Sequence, residues 1–161
     1  MRNAFALFAA YVLAIGMACA EVGDIAPFTR GTFAQIRAEH ASRPLVLHFW
    51  SLTCPPCITE MPRLAAFARA HRDFDLVLVT TDPIEQSERV AARLKTWGLT
   101  DAANFAYADN FVERLRFEVD RNWHGELPFT ALIKPDGSVK TVEGELKTED
   151  LVAWLDKGLT Q

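Results

Sequence analysis

The sequence predicts a single α/β domain, and three observations carry that expectation. Short apolar runs alternate with amphipathic stretches along the chain, as strands alternating with helices do. One of those runs, Leu45 to Trp50, is almost continuously apolar, the pattern of a central strand covered on both faces. No repeat, low-complexity tract or Gly/Ser-rich linker divides the chain, and 161 residues, half of them hydrophobic, suffice for one substantial core but leave little room for a second.

The first twenty residues read as a secretory signal. Arg2 follows the start, an apolar run extends from Ala4 to Ile15, Gly16 breaks it, and Ala18-Cys19-Ala20 precedes Glu21. The run is shorter than the roughly 20 apolar residues a spanning helix needs, so cleavage is expected after Ala20, with the domain occupying residues 21–161. Gly16-Met17-Ala18-Cys19 also forms a weak lipoprotein box, in which Cys19 would be acylated and kept, although glycine stands where a bulky aliphatic is usual. Removing the signal takes the formal charge from −4 to −5, because the segment holds one basic residue, Arg2, and no acid. A mildly acidic surface argues against nucleic acid or an anionic membrane as the partner.

In order along the remainder, Thr32 to Ala41 is predicted as a helix, with Thr32 and Gln35 in capping-box spacing and Arg43-Pro44 ending it. Leu45 to Trp50 is a strand that runs directly into Ser51-Leu52-Thr53-Cys54. From Pro55 to about His71, Met61, Leu64, Ala65 and Ala68 recur at helical spacing, and Pro62 is expected to kink that helix because it cannot donate to the carbonyl of Ile58. Asp75 to Thr81 is a strand, Asp82-Pro83 a turn, and Ile84 to Trp97 a helix closed by Gly98. Phe105 to Ala108 is a shorter strand, followed by a helix to about Val119 with Asp109 or Asn110 as its cap and Phe111, Val112 and Leu115 on its buried face. Phe129 to Lys134 and Ser138 to Val142 are strands joined by a turn at Pro135-Asp136-Gly137, and Thr148 caps a last helix.

Chemistry concentrates at Cys54-Pro55-Pro56-Cys57. If the signal is removed, these are the only two cysteines left in an oxidising compartment, and a crosslink over so short a loop is a weak stabiliser. A CxxC at the junction of a buried strand and a helix has a redox logic, because unpaired backbone N–H groups and the helix dipole favour a thiolate there. Cys54 is then the nucleophile that forms a mixed disulfide with a partner, and Cys57, one helical turn on, resolves it. Half of a zinc site looks identical, but zinc needs two further ligands and no second cysteine pair exists.

With Glu60-Met61-Pro62, the stretch Val46-Leu47-His48-Phe49-Trp50-Ser51-Leu52-Thr53-Cys54-Pro55-Pro56-Cys57 resembles the thioredoxin superfamily, and its TlpA/ResA/DsbE-like branch most closely. Gly125-Glu126-Leu127-Pro128-Phe129-Thr130, leading into Ala131 to Gly137, resembles that family's second signature, where a cis-proline faces the cysteines. The resemblance implies a thioredoxin-like fold, a central mixed sheet flanked by helices, with Phe105 to Val119 as an extra strand-helix insertion before the cis-proline hairpin. It implies that Leu127-Pro128 docks the extended backbone of a partner, the other reading of Pro128 being an ordinary strand-start proline. Glu60 falls where the branch carries a functional carboxylate able to exchange a proton with the resolving thiol, or it is a first-turn acid that only favours the helix dipole.

The chain also departs from the pattern. His48 stands six residues before Cys54, where thioredoxins place a buried acid; it would relay protons or be a core histidine held by one hydrogen bond. Thr53 replaces the usual tryptophan before the first cysteine, which leaves substrate preference open. Trp123-His124 introduces an imidazole near the thiols, and thiolates with one imidazole suit copper. Sco-like copper chaperones share the fold, but their cysteines are three residues apart rather than two. Ser51 lies three residues before Cys54, as a polar residue does in peroxiredoxins, without the proline that precedes it there.

Taken with the resemblance, these residues imply a periplasmic thiol-disulfide oxidoreductase acting on protein thiols and disulfides as a monomer, with no cofactor beyond the Cys54/Cys57 couple and no resident metal. A reductant of specific disulfides, as in cytochrome c maturation, is the direction expected, recharged by a membrane donor of the DsbD or CcdA type. An oxidase or isomerase, or a copper chaperone using Cys54, Cys57 and His124, are the alternatives.

Overall fold

A computed structural model describes residues 24–156. The expected signal at 1–20, its cleavage site and Cys19 lie outside the described residues. The elements run β1 (Ile25–Phe28), α1 (Thr32–Glu39), β2 (Leu45–Trp50), α2 (Pro55–Ala70), β3 (Asp75–Pro83), a 3-10 turn (Ile84–Gln86), α3 (Ser87–Trp97), β4 (Ala103–Tyr107), α4 (Val112–Val119), β5 (Phe129–Ile133), β6 (Val139–Glu143) and α5 (Thr148–Asp156). They form one six-stranded mixed sheet of order β1-β4-β3-β2-β5-β6. The first four strands of that order are parallel to one another, β5 runs antiparallel to β2, and β6 runs antiparallel to β5.

β2 sits inside the sheet between β3 and β5, and all six of its residues are buried. Its continuous apolar run splits by alternation onto two cores. Val46 and Trp50 pack with Leu78 and Leu132 under Met61, Leu64 and Ala65 of α2, Leu94 of α3, and Leu151 and Trp154 of α5. Leu45, Leu47 and Phe49 pack on the other side with Phe33 and Ile36 of α1, Leu115 and Val119 of α4, and Trp123. The expected insertion is β4 with α4, and it enters the sheet between β1 and β3.

Several local expectations are corrected. β1 lies outside the expected elements: it has only four residues and contains Pro27, which an edge strand tolerates. Its parallel pairing with β4 and the burial of Phe28 against Phe49 and Tyr107 hold it in place. The capping box at Thr32 does not form. Gly31 leads into α1 at φ +85°, a left-handed conformation that glycine adopts at little cost, and the Thr32 hydroxyl instead accepts the N–H of Thr29. Helix α1 also ends at Glu39 rather than Ala41.

The helix expected from Ile84 starts as a 3-10 turn and becomes α-helical only at Ser87, while Gly98 closes it at φ +68° as expected. Phe111 is not on a buried face: it precedes α4, is 61% exposed, and lies beneath the Arg114 guanidinium. Asp109 does not cap the helix; it accepts the N–H of Phe111 in the turn before it. Thr148 is the first residue of α5 rather than a cap ahead of it. The turn at Pro135-Asp136-Gly137 is as expected, closed by the Lys134 and Gly137 N–H groups and by Asp136 accepting from Ser138.

Candidate active site

The parallel strands β2 and β3 end at the same edge of the sheet, where sites on α/β folds concentrate. From Trp50 the chain turns through Ser51, Leu52 and Thr53 and enters α2 with Cys54 as its N-cap residue. Pro55 and Pro56 occupy the first two helical positions, which suits the fixed φ of proline but removes two of the free first-turn N–H groups. The Cys57 N–H remains and donates to Cys54 Sγ at 3.2 Å. Cys54 and Cys57 are joined as a disulfide with Cα atoms 5.3 Å apart. Cys57 is fully buried, whereas Cys54 retains 9% exposure, so an incoming sulfur meets Cys54 first.

Asp82, expected in a turn with Pro83, instead lies at the end of β3 and holds this loop. Asp82, 7% exposed on β3, accepts the Ser51 hydroxyl at Oδ1 (3.0 Å) and the Leu52 N–H at Oδ2 (2.7 Å). The Ser51 oxygen in turn accepts the Thr53 N–H at 3.1 Å and contacts the Thr53 hydroxyl at 3.1 Å. The signal that would have found Asp82 is positional: it is an acid at the carboxyl end of a strand that neighbours the nucleophile's own strand.

Glu60 is not a first-turn acid. It lies in the second turn of α2, one turn after Cys57 on the same side, and is 2% exposed. Its Oε1 accepts the Leu146 N–H at 2.9 Å and its Oε2 has no protein partner. Burial raises its pKa to about 7 against the opposing pull of the Leu146 N–H and the Arg63 guanidinium. Between the ordinary value of 4.5 and about 7, the folded state therefore holds the proton more tightly than the unfolded chain. Stability contributed by this group is full below that window and falls as pH rises through it, by on the order of 3 kcal/mol. Glu60→Gln should remove the slope, so denaturant unfolding at pH 5 and pH 8 should show the variant gaining on the wild type at the higher pH. A stability difference independent of pH would mean that the carboxyl titrates at its ordinary value.

The loop that Glu60 binds also supports the second signature. Gly144 N–H donates to the Pro128 carbonyl at 2.8 Å, and Arg63 of α2 pairs with Glu145. The Leu127–Pro128 peptide is cis. Because Phe49 pairs with Phe129, the antiparallel register sets Pro128 level with Trp50, at the same sheet edge as the cysteines. Leu127 packs against the cluster that contains both cysteines, and Trp123 stacks on Phe129 while donating its indole N–H to the Glu126 carbonyl.

The two histidines are placed differently. His48 lies on β2, on the face that α2 covers, fully buried, with Nδ1 2.9 Å from the Thr130 hydroxyl and Nε2 without a protein partner. Burial lowers its pKa to about 4, so it is neutral near pH 7. His124 is exposed beside the cis-proline segment, its N–H held by Glu126. Among the described residues, no three His, Cys, Asp or Glu side chains are grouped as a metal site would require.

The AhpC/TSA family profile matches residues 22–142, which spans both the CxxC and the cis-proline segment. The chain belongs to the AhpC/TSA family. Within reach of this family assignment, the chain is 26% identical over 136 residues to the sporulation thiol-disulfide oxidoreductase A of Bacillus subtilis, covering 76% of this chain and 72% of that one. The crystal structure of StoA from Bacillus subtilis superposes with a TM-score of 0.51 at 25% identity over 70% of this chain and 81% of that one. A secreted Mycobacterium tuberculosis disulfide oxidoreductase homologous to E. coli DsbE shares the fold, with a TM-score of 0.58 at 21% identity over 74% and 85% of the two chains. The expected thioredoxin-like fold and kinship are therefore correct, and this family member is a thiol-disulfide oxidoreductase carrying a Cys54–Cys57 disulfide.

Proposed function

We propose that the protein is an extracytoplasmic reductant of specific protein disulfides, exported by the segment at 1–20 and working as a monomer, with cytochrome c maturation as the expected setting. The observation that carries the direction is the poverty of donors at the nucleophile. With proline at both of the first helical positions, Cys54 Sγ receives the Cys57 N–H and lies at the end of a loop bound to the Asp82 carboxylate. Strong oxidants owe their potential to a stabilised reduced form, and a poorly stabilised thiolate favours the opposite poise.

In the proposed cycle the Cys54 thiolate attacks one sulfur of the partner disulfide, forming the mixed disulfide and releasing one partner thiolate. Glu60 accepts the proton of Cys57, whose thiolate then attacks Cys54 Sγ. That step releases the second partner thiolate and regenerates the Cys54–Cys57 disulfide. Leu127 and Pro128 dock the partner backbone beside Cys54. Two electrons from a membrane donor of the DsbD or CcdA type restore the dithiol. The Ser51 hydroxyl is engaged with Asp82 and Thr53, which supports exchange rather than peroxide chemistry as the use of this loop.

The test is the reduction potential of the Cys54/Cys57 couple, read by equilibrating the protein in glutathione or dithiol buffers and trapping free thiols. A value at or below about −220 mV is expected, and one near the roughly −120 mV of strong oxidants would reverse the proposed direction.

A further inference from the structure

The hydrogen bonds around Asp82 have no part in the exchange steps themselves, yet they converge on the turn that presents the nucleophile. One oxygen receives the Ser51 hydroxyl and the other the Leu52 N–H, while the Thr80 hydroxyl also bonds to Oδ2 (2.5 Å). Ser51 then passes the restraint on: its hydroxyl oxygen takes the Thr53 N–H, and its carbonyl takes the Cys54 N–H at 3.2 Å. Every residue from Ser51 to Cys54 is thereby tied to Asp82 directly or through Ser51. The partners that Asp82 binds are all neutral, and among the described residues no Lys, Arg or His pairs with it. A buried acid without a cation is costly, and such groups persist where they do something other than stabilise the fold.

We propose that Asp82 is the positioning residue of the redox centre, fixing the Ser51–Thr53 turn that orients Cys54 and setting an acid with no cation partner against that turn. None of the hydrogen bonds that tie this turn to Asp82 uses a cysteine sulfur, so the proposed restraint on Cys54 extends to the reduced protein. The charge disfavours the Cys54 thiolate and so shifts the couple toward the disulfide. This inference rests on thiol-disulfide exchange at Cys54 and not on its direction, because it concerns a difference between variants.

The experiment compares wild type with Asp82→Asn, Asp82→Ala and Ser51→Ala. Each is checked for folding by near-ultraviolet circular dichroism and thermal melting. Asparagine keeps the volume and one acceptor for the Leu52 N–H, while its amide donates to the Ser51 oxygen and the Ser51 hydroxyl turns to Thr53, so the turn stays bonded as the charge is removed. Its glutathione equilibrium should move about tenfold toward the dithiol, about 30 mV. Asp82→Ala and Ser51→Ala should slow the attack of the reduced protein on a small aromatic disulfide, 5,5′-dithiobis(2-nitrobenzoate), by about tenfold. A folded Asp82→Asn with an unchanged equilibrium overturns the proposal, whatever the alanine variants do. Wild-type potential alone reports on the direction of electron flow, so the two readings fail separately.

Discussion

Cys57→Ser is expected to convert the protein into a trap that captures partner proteins and does not release them. Cys54 retains its exposure and the N-cap position, so the first exchange proceeds, but the buried sulfur that would attack Cys54 Sγ is gone. The mixed disulfide then persists until an outside thiol reaches it. Cys54→Ser should instead abolish capture, because the thiolate is the nucleophile of exchange and a serine hydroxyl is not ionised near neutral pH. The loss should be on the order of a thousandfold or more, the scale seen when a nucleophile is removed. Non-reducing electrophoresis of thiol-quenched extracts checks both variants: covalent adducts that disappear on reduction are expected with Cys57→Ser and not with Cys54→Ser. Equal adducts from both would assign the nucleophile wrongly, and the trapped species would identify the physiological partners.

The second large effect is one of stability. Phe49 is fully buried where β2 meets both the edge-strand cluster and the support of the cis-proline segment. Its ring lies 5.8 Å from Phe28, 4.7 Å from Trp123 and 6.1 Å from Phe129. Phe49→Ala removes the central ring of that group, and close-packed neighbours on a rigid sheet can collapse only partly into the space. A cost of about 3–5 kcal/mol is expected in denaturant unfolding, with a smaller one for Phe49→Leu. Partner exchange should weaken as well, because Trp123 and Phe129 bracket Leu127-Pro128 and lose their packing partner. An alanine variant that unfolds at the wild-type midpoint would mean that the Phe49 ring contributes little to closing this core.

Those two predictions draw on different kinds of information. The roles of Cys54 and Cys57 follow from a strand, a turn and a helix start that are contiguous in the chain, and local chemistry is enough to specify them. The aromatic group joins residues from β1, β2, β5 and the Trp123 loop, which no local pattern relates. The same division explains the corrections. A capping box at Thr32 was locally sensible, but Gly31 is drawn to Glu118 of α4, and Thr32 bonds backward to Thr29. Phe111 belongs to an apolar series at helical spacing, yet α4 starts after it and turns it outward.

Sequence alone determined the α/β class, the buried central strand, the Pro-Pro helix start at Cys54, the Gly98 stop and the turn at Pro135-Asp136-Gly137. Each is set by side-chain periodicity or by the backbone limits of proline and glycine, which act within a few residues. Tertiary structure decided that four residues around Pro27 make a strand, that Glu60 is buried against Leu146 and titrates near 7, and that Asp82 grips the nucleophile's turn. Those properties depend on desolvation and on hydrogen bonds between residues 30 to 86 positions apart, and they exist only once the sheet has brought its strand ends together.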